Sequence, residues 1–73
     1  MDKVLDLRGL SCPQPVILTL EEIKKAKEGK ICILVDTDTS KENILRATIS
    51  QGWEVDSVIR EGTGYRIVIS KKR

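Results

Sequence analysis

The chain has 73 residues, with 13 lysines and arginines against 11 aspartates and glutamates, and a formal net charge of +2. A chain this short supports one hydrophobic core, so we expect a single domain over residues 1–73. No stretch reaches the roughly 18 apolar residues of a membrane span, the first residues lack a signal-peptide profile, and so balanced a charge does not argue for nucleic acid. We therefore expect a cytoplasmic protein without direct nucleic-acid contact.

The chain opens with a strand followed by an amphipathic helix. Leu5 and Leu7 alternate with other side chains, which predicts a short strand that ends at Gly9. Apolar residues then recur at helical spacing over residues 13–28, which predicts a helix stopped by a left-handed Gly29. The apolar stripe of this helix consists of Val16, Ile17, Leu20 and Ile23.

A buried strand and a second helix follow. Residues 30–36 form a near-continuous apolar run, which is typical of a central strand. Thr39 and Glu42 have the spacing of a capping box at a helix start. We therefore expect a second helix from about Ser40 to Gln51, ended by Gly52.

Two antiparallel strands complete the predicted fold. Residues 53–60 and 65–70 both alternate in polarity, and glycines between them suit a hairpin loop. Two amphipathic helices can bury their apolar stripes only against a shared sheet. The sequence therefore predicts an α/β two-layer sandwich of order βαβαββ, with a four-stranded mixed sheet and both helices on one face. Trp53 should anchor the edge of the core.

The types of residue that the sequence lacks exclude several kinds of catalytic and metal site. The chain has no histidine and only two cysteines outside a CxxC pair, which excludes Cys-His and Ser-His dyads, imidazole metal ligands and a disulfide framework. Asp36 and Asp38, with Glu42 nearby, are more typical of turn and cap residues than of a cation site. We therefore expect no metal and no cofactor.

The stretch RGLSCPQP holds Cys12 between Gly9 and two prolines. Pro13 suits the first helical position, and Pro15 lies in the first turn, where a missing N–H costs little. Cys12 is then the N-cap, where the helix dipole favours the thiolate and lowers the pKa of the thiol. Gly9 is predicted as a close-approach residue, and Arg8 as a source of further positive potential. Without its neighbours, such a cysteine is often only a small apolar residue.

The longer stretch LDLRGLSCPQPVILT resembles the signature of the TusA/SirA/YedF family of small sulfur-carrier proteins. Cys12, Pro13 and Pro15 match its Cys-Pro-x-Pro element, and Asp6 and Gly9 match the residues ahead of it. The chain length and the βαβαββ order agree as well. The later stretch DTSKENILRATISQGWEVDSV looks closer to the YedF-like branch than to the tRNA-thiolation branch.

The resemblance implies a sulfurtransferase that acts as a persulfide carrier. Cys12 would accept sulfane sulfur from a donor such as a cysteine desulfurase or a rhodanese, and pass it to an acceptor sulfur-relay protein, with Asp6 and Arg8 in support. The pathway could be tRNA thiolation or another branch of sulfur metabolism. Selenium, or thiosulfate-derived sulfur delivered with a membrane transporter, would be a different cargo for the same chemistry. We expect a monomer, because a relay protein alternates between partners.

A second thiol and a basic patch give the alternatives. Cys32 stands among apolar residues in the middle of a predicted strand, so we expect a core residue and no resolving thiol. Arg60 and Arg66, with the tail KKR, are predicted to form a basic patch on the open sheet face. That patch would suit a non-catalytic regulatory module that binds RNA or a protein, and the element order resembles that of the C-terminal domain of bacterial translation initiation factor three.

Overall fold

The structure, a computed structural model, describes residues 2–10 and 14–71. The elements are β1 (Asp2–Asp6), α1 (Gln14–Ala26), β2 (Gly29–Val35), α2 (Asp38–Ser50), β3 (Glu54–Glu61) and β4 (Gly64–Lys71). The strands form a four-stranded sheet in the order β1-β2-β4-β3. β1 is parallel to β2, and the other two pairs of neighbours are antiparallel. The predicted order and mixed sheet are confirmed.

The core lies between the two helices and one face of the sheet. Its members are aliphatic except for Trp53, which is 4% exposed and takes the predicted place in the core. Burial of each large aliphatic side chain contributes about 2 kcal/mol. The buried cluster consists of Leu7, Ile23, Ile31, Ile33, Val35, Ile44, Trp53, Ile67 and Ile69. Among the described residues, neither helix has the length and apolar character needed to cross a membrane.

Helix α1 buries one narrow face. Its buried side chains are Pro15, Thr19 and Ile23, which stand four residues apart, as expected for one face of a helix. Ile17 is 48% exposed and Leu18 is 38% exposed. The prediction that Ile17 belongs to the core stripe is therefore wrong, because four apolar residues in a row cannot all point to the same side of a helix.

Helix α1 also ends earlier than its sequence pattern predicts. The last helical residue is Ala26, and Lys27 takes the left-handed conformation with φ of 64°. Gly29, the predicted stop, is already the first residue of β2. The predicted start of this helix at Cys12 and Pro13 lies outside the described residues.

Helix α2 is capped by a different threonine from the predicted one. Thr37 has an extended backbone, and its side-chain oxygen accepts a hydrogen bond from the N–H of Ser40 at 3.1 Å. The prediction of a cap at Thr39 is wrong by two residues. Both threonines stand three residues before a polar residue, as a helix cap requires. The point where β2 ends decides between them, because α2 begins at Asp38, soon after the last strand residue, Val35.

Thr37→Ala is expected to lower the free energy of unfolding by about 1 kcal/mol, because the N–H of Ser40 loses its capping partner. Thr39→Ala is the matched control, since Thr39 is exposed inside the helix and its loss should change stability by less than about 0.5 kcal/mol. Urea denaturation of the two variants measures the difference. Equal losses would contradict the assignment of the cap.

A β-bulge in β3 changes which side chains share a face. The pairing of β3 with β4 shifts between Val55 and Ser57, and one inserted residue moves every later side chain to the other face. Arg60 consequently stands opposite Tyr65 on the helix side, whereas Arg66 lies on the open face. The prediction that Arg60 and Arg66 share a basic patch on the open sheet face is wrong.

Cys32 lies on the open face of the sheet. Its neighbours along β2, Ile31 and Ile33, are buried beneath the helices, so Cys32 points the other way, between Val4 and Val68 of the adjacent strands. Its side chain is half-buried. The prediction of a core position is wrong because helices cover only one face of the central strand.

Candidate functional site

The predicted site residues belong to the connection between β1 and α1. Two of them, Cys12 and Pro13, lie outside the described residues. The structure places the other four, Asp6, Arg8, Gly9 and Pro15, at the carboxyl end of β1 and the start of α1. The described parts of this connection define the backbone that leads into Cys12 and the helix that leaves it.

Backbone hydrogen bonds hold both ends of the segment from Leu7 to Leu10. The N–H of Leu7 donates to the carbonyl of Leu34 at 2.8 Å, which extends the pairing of β1 with β2 by one residue. The N–H of Leu10 donates to the carbonyl of Leu7 at 3.4 Å, which closes a turn. The segment therefore leaves the sheet as a compact turn.

Two carboxylates bind the N–H groups inside this turn. The N–H of Arg8 donates to Asp6 Oδ1 at 3.2 Å, and the N–H of Gly9 donates to Asp36 Oδ2 at 2.9 Å. All four N–H groups from residue 7 to residue 10 thus have acceptors. A backbone with its donors paired has a defined conformation, so residues 7–10 are fixed ahead of Ser11 and Cys12 in the sequence.

Arg8 and Asp6 form a two-point ion pair. Nε of Arg8 donates to Oδ1 and Nη2 donates to Oδ2, both at 2.8 Å. The hydrogen bonds from Arg8 lower the pKa of Asp6 from 3.8 to about 2, and the same contact raises the pKa of Arg8. The two predicted supporting residues therefore act first on each other, and Asp6 balances the charge of Arg8.

Arg8→Met is expected to raise the pKa of Asp6 from about 2 toward 3.8, because the guanidinium hydrogen bonds favour the charged carboxylate. A lowered folded-state pKa stabilises the turn above pH 4, and that contribution is lost as pH falls toward 2. Carboxyl NMR titration measures the change. Arg66→Met, which removes the partner of Glu61, is the control, and an unchanged Asp6 midpoint in Arg8→Met would contradict the assignment.

Glycine is needed at two positions around this turn, for different reasons. Gly9 has φ of 82°, and a Cβ there would meet no atom of the described residues within 4 Å. The predicted close approach at Gly9 is not found among the described residues, where Gly9 supplies a left-handed backbone. The close approach occurs at Gly64, where a Cβ would overlap the carbonyl oxygen of Val35 and lie 2.9 Å from the Cα of Asp36.

The start of α1 combines a buried ring with an uncharged first turn. Pro15 is the second residue of the described helix, and its side chain is fully buried. A proline there loses no intrahelical hydrogen bond. The first turn contains no acidic residue, so the positive end of the helix dipole is left to favour an anion.

An apolar groove lies beside the start of α1. It has a volume of about 300 Å³ and is lined by Leu10, Gln14, Ile17 and Leu18. Leu10 and Gln14 stand two residues before and two residues after Cys12 in the sequence. The groove was missed by sequence reasoning, although the run of apolar residues at the helix start exceeds what one helix face can bury.

Arg60, Arg66 and Asp38, which the sequence suggested for a basic binding face or a cation site, each contact a neighbouring side chain. Arg60 lies 6.0 Å from the centre of the Tyr65 ring, and Arg66 pairs with Glu61 at 2.9 Å. The hydroxyl of Tyr65 donates to Asp38, which raises the pKa of Tyr65. The two arginines lie on opposite faces of the sheet and contact different partners. The predicted basic binding face therefore lacks Arg60.

The fold and the sequence both match known proteins. The family model described as sulfurtransferase TusA matches residues 3–71. YedF of Escherichia coli, named as a candidate sulfur carrier protein, is 34% identical over 71 residues, which cover 96% of this chain and 92% of the relative. A crystal structure of a SirA-like protein from Desulfitobacterium hafniense has a TM-score of 0.87 at 22% identity, and the match covers 97% of this chain and 99% of that chain.

Some relatives are considerably longer. A protein of Aquifex aeolicus, also named as a candidate sulfur carrier, is 34% identical over 71 residues. The match covers 97% of this chain and 36% of the Aquifex protein. The chain therefore spans about a third of that relative's length.

Proposed function

The chain belongs to the TusA family of sulfurtransferases and sulfur carriers, and we propose that it accepts sulfane sulfur on Cys12 as a persulfide and passes it to the thiol of an acceptor protein. The observation that carries this proposal is the hydrogen-bonded turn that leads into Cys12, followed by an uncharged helix start. Such a turn supports a thiol that is presented in one orientation to successive partners. Gly9, Pro13 and Pro15 would shape that turn and the helix start.

The transfer needs only thiolate chemistry. The Cys12 thiolate attacks the outer sulfur of a donor persulfide, the bond between the donor's two sulfurs breaks, and the donor leaves as a thiolate. The acceptor's thiolate then attacks the outer sulfur held by Cys12, and Cys12 leaves as a thiolate. Each step makes one S–S bond and breaks another, so no oxidant or reductant is consumed. A helix start favours the thiolate without a general base.

The position of Cys32 is compatible with a carrier that holds a persulfide without releasing its sulfur. A resolving thiol close to a persulfide would release the sulfur and leave a disulfide. Cys32 lies in the middle of β2, half-buried between Val4 and Val68 on the face away from the helices. It is a strand residue in this proposal and takes no part in transfer.

The groove beside the start of α1 would receive the partner proteins. Two residues of chain span at most about 7 Å, so a partner thiol that meets Cys12 also comes close to the groove of Leu10, Gln14, Ile17 and Leu18. Exposed apolar side chains of this kind favour transient docking. The partners we propose are a donor such as a cysteine desulfurase or a rhodanese and an acceptor sulfur-relay protein, met in the cytoplasm by a monomeric carrier.

Ile17→Lys is expected to slow sulfur loading from the donor protein by about tenfold, because a charge replaces an apolar contact at the docking surface. The fold should survive, since Ile17 is 48% exposed. Ile49→Lys is the matched control, because Ile49 is 66% exposed on the other helix. Alkylation of Cys12 by iodoacetamide should not be slower in either variant, because an added cation does not disfavour a thiolate, and equal loading by both would contradict the docking surface.

A chase experiment tests the proposed relay. The protein is loaded with ³⁵S by a cysteine desulfurase and labelled cysteine, separated from the donor, and mixed with a thiol acceptor. We expect the label to stay on the isolated protein and to leave when the acceptor thiol is added. Failure to load from the desulfurase, repeated with a rhodanese and labelled thiosulfate, would overturn the carrier function and favour a non-catalytic binding module.

A further inference from the structure

Resting on the proposed function, we propose that Asp36 is a positioning residue for sulfur transfer. It lies directly after β2 and holds the turn of residues 7–10, which precedes Cys12 in the sequence, through one hydrogen bond from the N–H of Gly9, at 2.9 Å. Asp36 is 24 residues away from Cys12 in sequence, and in this proposal it acts on the thiol through the backbone of the turn.

Beyond Leu7, whose N–H is paired with the carbonyl of Leu34, the hydrogen bond from Gly9 to Asp36 is the tether of this turn. Its partners are 27 residues apart, whereas the contacts of Arg8 with Asp6 and of Leu10 with Leu7 join residues within three positions of each other. The local contacts shape the turn, and the pairing of Leu7 with Leu34 places its first residue, but neither fixes residues 8–10 on the molecule. A carboxylate acceptor makes the tether stronger than a neutral acceptor would.

Asp36 is itself held by three elements. It follows the last residue of β2 and precedes Thr37, which caps α2. Its Cα packs against Gly64 at the start of β4 so closely that a Cβ on Gly64 would lie 2.9 Å away. A residue whose backbone is fixed by the sheet, a helix start and a hairpin can transmit their rigidity to the turn.

Placement matters because sulfur exchange requires three sulfur atoms to meet in a defined approach. A displacement of about 1 Å at the reacting atoms can slow a reaction by roughly a hundredfold. If the tether is lost, the turn keeps its local shape and Leu7 stays paired with Leu34, but residues 8–10 are no longer fixed to the end of β2. The rate of sulfur loading should then fall although the protein stays folded.

Two substitutions separate the hydrogen bond from the charge. Asp36→Asn and Asp36→Ala remove the same negative charge, but only asparagine keeps a side-chain oxygen that can accept from Gly9. Asp56→Ala is the matched control, because Asp56 also accepts one hydrogen bond, from Ser70 at 2.9 Å, on the open sheet face. Thermal unfolding of each variant confirms that it is folded at the assay temperature.

We expect Asp36→Ala to load sulfur from a cysteine desulfurase about tenfold more slowly than the wild type, with Asp36→Asn within about threefold. Asp56→Ala should load at the wild-type rate. Equal rates for wild type and Asp36→Ala would overturn the proposal. Equal losses in Asp36→Ala and Asp36→Asn would also overturn it, since the charge and not the tether would then be responsible.

Alkylation of Cys12 by iodoacetamide needs no sulfur donor. It therefore tests the positioning role of Asp36 independently of the carrier function. We expect Asp36→Ala to be alkylated about threefold more slowly than Asp36→Asn, because its thiol is held less constantly at the helix start. If the wild type takes up no sulfur, the carrier function fails, and this comparison still decides the role of Asp36. Equal alkylation rates for the two variants would overturn the positioning role.

Discussion

Cys12→Ser is expected to fold like the wild type and to accept sulfur at less than about a thousandth of the wild-type rate. A serine hydroxyl is not ionised near neutral pH, and it cannot hold a sulfur atom as a persulfide. The labelled-cysteine assay with a desulfurase measures the loss. Circular dichroism and thermal unfolding check that the variant is folded.

Cys32→Ser is the control for that experiment. Cys32 is half-buried in the middle of β2 on the open sheet face, so its loss should leave sulfur loading close to the wild-type rate. If Cys32→Ser lost loading and Cys12→Ser kept it, the assignment of the carrier thiol would be wrong.

Gly64→Ala is expected to lower the free energy of unfolding by about 3 kcal/mol or more, because overpacking against a fixed neighbour is costly. The new Cβ would overlap the carbonyl oxygen of Val35, and a backbone atom paired inside a sheet cannot swing aside. Urea denaturation measures the change, provided that the variant folds, and circular dichroism shows whether it does.

Gly62→Ala separates crowding from backbone conformation. Gly62 has φ of 62°, and a Cβ there would meet nothing within 4 Å. The expected loss is only the cost of a left-handed alanine, about 1 kcal/mol. A loss at Gly62 as large as the loss at Gly64 would show that the close approach of Gly64 to β2 is not what limits the substitution.

The order of elements could be predicted because aliphatic side chains recur at the helical or strand period in every segment. The alternation of Ile31, Ile33 and Val35 places one face of β2 in the core. The same run does not show that no helix covers the other face of β2, which is why the sequence predicts a core position for Cys32. A period identifies an element, whereas the number of layers that cover it depends on the rest of the fold.

The bulge and the helix cap were hidden for a related reason. One inserted residue between Val55 and Ser57 leaves the composition of β3 unchanged but reverses the face of Arg60. Thr37 and Thr39 are both plausible caps by spacing, and only the point where β2 ends decides between them. Both features depend on how strands pair, which local sequence does not specify.

The candidate site also has one part that local sequence predicts and one part that it does not. The motif around Cys12 could be recognised from neighbouring residues, because prolines and a glycine at a strand–helix junction have local meaning. The contact of Gly9 with Asp36 joins residues 27 positions apart, and it exists because β1 and β2 lie side by side in parallel. Asp36 could be assigned to a turn from sequence, but its partner could not.

The most direct test of the account is to locate the sulfur atom by mass spectrometry. The wild type is loaded by a cysteine desulfurase with free cysteine, alkylated and digested with trypsin, which places Cys12 in the peptide of residues 9–24 and Cys32 in that of residues 31–41. We expect one added sulfur atom on peptide 9–24 and none on peptide 31–41. Added sulfur on peptide 31–41 alone, or on neither peptide, would contradict it.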